Sequence, residues 1–150
     1  MATYELKVLD SANLYVENTD LSTAVLTVTA TSTATKNGAD QTNLLHTGGL
    51  FYVVFTSVVA TSTVRVNVQG KDPISGNYIT VASVSIDAVS VTTNGNASQA
   101  IYVYAGAVGG NANVFGVPLP RTYRVQASIT VINATATSAV TMTIGQSKIL

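Results

Sequence analysis

Residues 64–86, VRVNVQGKDPISGNYITVASVSI, constrain the fold more than any other stretch. Val64, Val66 and Val68 alternate with Arg65, Asn67 and Gln69. That is the period-2 pattern of a strand with one apolar face. Gly70 to Asn77 then supplies turn chemistry: Pro73 fixes φ, Asp72 can cap its own backbone, and Gly76 tolerates positive φ. Tyr78 to Ile86 resumes with aromatic and β-branched residues, so the unit reads as an antiparallel hairpin with a long loop.

The same alternation recurs along the chain. Leu21 to Thr35 reads as a strand with a threonine-rich wet face, closed by Lys36-Asn37-Gly38. Leu50 to Ala60 is almost continuously apolar and reads as a strand buried on both faces, or one under a subunit contact. With the hairpin it would make a three-strand meander. Ala100 to Tyr104 sets Ile101 and Val103 on one face, Tyr102 and Tyr104 on the other. Arg121 to Ile132 alternates from Tyr123 to Val131, and Ser138 to Ile144 does so through Val140, Met142 and Ile144. Short strands are expected at Ala2 to Asp10 and Leu14 to Glu17, and turns at Asn94-Gly95-Asn96 and near Asn133. No stretch shows a helical period. Seven to nine strands at this spacing predict an all-β protein: an antiparallel β-sandwich or jelly-roll-like single domain over residues 21–150, preceded by an N-terminal arm or edge strand over residues 1–20.

Composition narrows the function classes. At 150 residues the chain fits one domain. Only 9% of residues are charged, against about 25% in ordinary soluble domains, and the net charge is zero. A surface with so little self-repulsion suits a protein in constant contact with others. Seven scattered Lys and Arg build no basic stripe, so nucleic acid is not an expected partner. The opening residues lack an apolar signal core, and no apolar run approaches the roughly 20 residues of a membrane helix. Neither secretion by the general route nor a membrane is expected.

Catalytic and metal chemistry find little footing. One histidine, His46, and no cysteine leave few zinc ligands, and no serine stands in a nucleophile elbow. His46 reads as a loop residue. Glu5, Asp10, Glu17 and Asp20 lack calcium-loop spacing and read as a solvated segment. The loop around Gly109-Gly110 has no following Lys-Ser/Thr and reads as a flexible tip, not a phosphate cradle. Tyr78, Tyr102 and Tyr104 offer either a sugar-binding aromatic face or cross-strand packing. Arg121 and Arg124 are expected to pair with carboxylates of this chain or a neighbour. Two asparagine sequons, at Asn96 and Asn133, read as chance matches in an Asn/Thr/Ser-rich chain. The expectation is a non-enzymatic protein with no cofactor and no metal.

Two segments, VNVQGKDPISGNYITVASVSI (residues 66–86) and VPLPRTYRVQASI (residues 117–129), resemble paired signatures of small β-rich virion proteins of tailed bacteriophages. In that family a QGKDP-x-SG-x-Y hairpin precedes an LPR-T-Y/W-RV strand after a proline corner, with a short strand and an Ala/Asn/Gly-rich loop between. The resemblance covers about a quarter of the chain. It implies a structural part of a phage particle, made in the host cytoplasm: a head decoration or cement protein on the capsid exterior. Its partners would be the major capsid protein and itself, such proteins often being trimers. The alternatives are a neck, tail or head-fibre component, or, in a different class, a carbohydrate-binding β-sandwich module. Candidate partner contacts on loops, strand faces and the N-terminal segment are Tyr4, Leu6, Tyr15, Tyr102, Tyr104, Val108, Phe115, Arg121 and Arg124.

Overall fold

The computed structural model describes residues 16–17, 25–30, 33–58, 62–87, 98–108, 112–131 and 140–149. These residues form eleven strands and no helix: β1 (Val16–Glu17), β2 (Leu26–Ala30), β3 (Ala34–Asn37), β4 (Gln41–Thr42), β5 (Gly48–Val58), β6 (Ser62–Lys71), β7 (Tyr78–Asp87), β8 (Ser98–Tyr104), β9 (Val114–Phe115), β10 (Thr122–Val131) and β11 (Val140–Ile149). The expected strand at Ala2 to Asp10, the turns near Asn94 and Asn133, and both sequon asparagines lie outside the described residues.

Two sheets pack as a sandwich. The six-stranded sheet runs β1-β11-β5-β8-β9, with β2 also on β11. The five-stranded sheet runs β3-β10-β6-β7, with β4 also on β10. All pairings are antiparallel except the two-residue β8–β9 pair. Alternation decides which residues turn inward. Val64, Val66, Val68, Ala82, Val84, Ile86, Tyr123, Val125, Ala127 and Ile129 come from the five-stranded sheet. They meet Phe51, Val53, Phe55, Ile101, Val103, Val140, Met142 and Ile144 from the other. Burying apolar surface at about 25 cal/mol per Å² supplies the main driving force.

Three sequence expectations are corrected. The meander does not form, because β5 pairs with β11 and β8 while β6 pairs with β10 and β7. The described part of Leu50 to Ala60 lies in β5, between β11 and β8 in the middle of the six-stranded sheet. It is not buried on both faces: Phe51, Val53 and Phe55 are enclosed, whereas Val54 on the other side is 38% exposed. Leu21 to Thr35 is not one strand, since β2 lies in one sheet and β3 in the other.

Tyr123 is the largest enclosed side chain. Its ring meets Phe51 edge-on at 6.1 Å between centroids, and its hydroxyl donates to Gln146 Oε1 at 2.6 Å. Burial pushes the phenol up from 10.0 to about 12, against a smaller opposing effect of the Gln146 bond. The unfolded chain therefore releases this proton first as pH rises. The stabilisation is complete below pH 10 and is lost as pH climbs through about 12. That difference corresponds to on the order of 2–3 kcal/mol. Denaturant melts at about pH 9, below the window, and about pH 11.5, within it, should show a smaller alkaline loss in Tyr123→Phe than in the parent protein.

Candidate functional site

The two signature segments meet on the outer face and one end of the five-stranded sheet. Nine consecutive positions of β10 pair with β6, from Tyr123 opposite Gly70 to Val131 opposite Ser62. The loop after β6 closes as its residues require. The Asp72 carboxylate accepts from the backbone amides of Ile74 (3.0 Å) and Ser75 (3.3 Å) and from the Ser75 hydroxyl. Gly76 sits at φ +73°, and its amide donates to the Asp72 carbonyl. The Ser75 hydroxyl, and then the Ile74 amide, hold the Asp72 carboxyl below its usual range.

Side chains then bind the strands crosswise. Arg124 lies opposite Gln69, and its Nε donates to Gln69 Oε1 at 2.9 Å. Its guanidinium carbon lies 3.5 Å from the centroid of the Tyr78 ring, which stands on the next strand, β7, diagonally across from Gln69 and opposite Lys71. The Tyr78 hydroxyl donates to Asp40, which also accepts from Lys71 Nζ at 2.9 Å. The tyrosine hydroxyl first, and Lys71 second, lower the Asp40 carboxyl, and Asp40 in turn raises Lys71. Beside this group runs an amide chain. Gln126 donates to Asn37 Oδ1 (2.9 Å) and accepts from Asn67 Nδ2 (3.0 Å), while Asn67 Oδ1 accepts from Ser83 (2.7 Å). Asn67 and Gln69 are only 8% exposed although they face away from the core.

Within this chain Arg124 binds a ring and an amide in place of the expected carboxylate; Lys71 holds Asp40, whose carboxyl the Arg124 charge lowers only as a minor contribution. Arg124→Ala should cost about 1–2 kcal/mol by urea melt, and Arg124→Lys should recover less than half of it, since an ammonium cannot stack and donate from a planar fork.

A second device sits at the same end of the sandwich. Asn43 Nδ2 donates to the carbonyls of His46 (2.8 Å) and Leu119 (2.9 Å), and its Oδ1 accepts from the His46 amide (3.0 Å). Its own amide donates to the Arg121 carbonyl, and Leu119 N donates to the Thr47 carbonyl. The loop between β4 and β5 is thereby tied to the Pro-Leu-Pro corner, with Leu44 68% and Leu45 77% exposed at its tip. No local pattern in the sequence marks Asn43, Leu44 or Leu45 as a contact, apart from the leucine pair itself inside the otherwise polar QTNLLHTGG.

The expected contact residues that are described do not gather on one face. Tyr4, Leu6 and Tyr15 lie outside the described residues. Tyr102 and Tyr104 project from the outer face of the six-stranded sheet, Tyr102 opposite Leu50 and diagonal to the half-buried Tyr52. Val108 is entirely exposed beyond β8, and Phe115 packs partly against the core. Arg121 is exposed just before β10 and Arg124 is half-buried within it, on the other sheet. Tyr78 stands apart from Tyr102 and Tyr104, on the opposite sheet and under Arg124. The three tyrosines therefore form no common sugar platform. Among the described residues no three His, Cys, Asp or Glu side chains approach closely enough to hold a metal, and no described helix is long and apolar enough to cross a membrane.

No family model matches the sequence, and no curated protein matches it. Among solved structures, the fold is similar to a carbohydrate-binding module, CBM28, specific for non-crystalline cellulose. The TM-score is 0.42 at 13% identity, over 91% of this chain and 76% of that one.

Proposed function

We propose that this chain is a structural, non-enzymatic protein of a tailed-bacteriophage particle, a head decoration or cement protein that binds the major capsid protein and copies of itself. One observation carries the reading: the two segments that resemble phage virion signatures are interlocked, Arg124 of one lying over Tyr78 and bonded to Gln69 of the other. Their polar groups are spent on one another, which fits a signature that specifies a rigid scaffold and not a reacting centre. Low charge and a long apolar core suit a protein whose work is packing. Contacts that are individually weak would act together across many copies on a lattice. Peptide mass spectrometry of purified virions from the phage encoding this chain tests the proposal. Recovery at a copy number comparable to the capsid protein is expected for decoration, and absence from the particle overturns it.

A second reading, a carbohydrate-binding module, draws on the outward Tyr102 and its diagonal neighbour Tyr52 on the outer face of the six-stranded sheet. Sugar rings stack on such faces. A glycan array that retains the protein, with retention lost in Tyr102→Ala, would favour it over the virion reading.

A further inference from the structure

The four edges of the two sheets are unequal. Among the described residues, one edge of the six-stranded sheet is divided between β1 and β2, and the other ends in the two-residue β9. One edge of the five-stranded sheet is divided between the short β3 and β4, with Lys36 exposed on it. The remaining edge is β7, ten residues long, with β6 on one side and no described strand on the other. Its sequence, YITVASVSID, holds no proline and no lysine, and its one charge is at the end. Proteins ordinarily blunt such edges with charges, proline or short length, because unpaired backbone groups recruit another strand. Here only a bulge near Val81 interrupts the strand, leaving the stretch from Ala82 to Ile86 regular.

We infer that β7 is a self-pairing edge, joining antiparallel to β7 of a second copy about a two-fold axis centred on Val84. The sequence is complementary to its own reverse at this register. Val84 opposes Val84, Ala82 opposes Ile86, Ser83 opposes Ser85, and Asp87 falls opposite Val81, so no like charges meet. Ala82, Val84 and Ile86 are at most 4% exposed on the core side, while Ser83 and Ser85 are exposed on the other. Pairing in this register keeps core with core and serine with serine, so two sandwiches continue one sheet. Zero net charge places no long-range repulsion between the copies. The contact is small and belongs to the weak class of interfaces. The β7 pairing does not depend on where the protein resides: its failure removes this one contact and leaves the virion proposal standing, since copies on a lattice can meet through other surfaces, and absence from a particle leaves the pairing standing.

The chain has no native cysteine, which makes the register directly testable. Ser83→Cys and Ser85→Cys proteins are mixed under mild oxidation. Directly opposed positions lie within bridging distance and diagonal ones do not, so the mixture should yield disulfide-linked dimer about tenfold faster than either variant alone. In parallel, sedimentation of the unmodified protein should show reversible association at high concentration, weakened in Ser85→Lys, which places a charge on the edge without touching the core. A protein that stays monomeric at about 1 mM overturns the inference. So does equal cross-linking by either variant alone, or association unaffected by Ser85→Lys.

Discussion

Asn43→Ala is expected to destabilise the protein by about 2–4 kcal/mol, a large effect for one polar side chain in a loop. The side chain makes three bonds, to His46 N, His46 O and Leu119 O, and is 6% exposed. Alanine removes all three partners at once and leaves the Leu119 carbonyl without the donor that reaches it across 76 positions of sequence. An unmade buried hydrogen bond costs more than a made one contributes, which sets the magnitude. Asn43→Asp separates geometry from donation: it keeps the acceptor for His46 N but loses both donations, so it should fall close to alanine. Urea denaturation of the three proteins at neutral pH checks the order. The same substitutions should raise amide exchange across residues 43–47 and 119–121 before global unfolding, because the bonds that join those segments are the ones removed.

Gly70→Val is expected to be destabilising by about 3 kcal/mol, against the sign that strand preference alone would give. Valine is favoured over glycine in strands, and on propensity the change should help by up to about 1 kcal/mol. At Gly70 a Cβ would stand 2.7 Å from Pro120 Cγ and 3.0 Å from its Cβ. The proline ring cannot swing away, since its ring closure fixes φ and the adjacent Leu119 is held by Thr47 and Asn43. Steric cost therefore outweighs propensity. Pro120→Gly should relieve most of the penalty in a double-mutant cycle, with a coupling of 1 kcal/mol or more, roughly the range for residues in direct contact. Additive effects would mean that the glycine of one signature and the proline corner of the other are not in contact.

The sequence exposed local structure well and long-range pairing poorly. Period-2 alternation placed β6, β7 and β10 nearly to their ends, and Asp72 and Gly76 act in the loop as their chemistry predicts. Alternation reports only which side of a strand is apolar. It could not say that β5 leaves its sequence neighbour β6 for β11, the last strand, because nothing local distinguishes a hairpin from a crossing between sheets. The site was half legible for a related reason. Arg124, Tyr78 and Gln69 stood within segments already singled out, yet their meeting needed the register of β10 on β6. Asn43 was invisible because an asparagine that staples two loops has the same local surroundings as one that faces water.

Interlocking of the two signatures is the ground on which the virion assignment rests, and cryo-EM reconstruction of the particle that carries this protein tests the assignment most directly. The account predicts density for this sandwich on the capsid exterior at threefold or quasi-threefold positions, fitted without rearranging β6, β7 and β10. Density for the sandwich confined to the portal, neck or tail, or a particle that lacks it, would contradict the account.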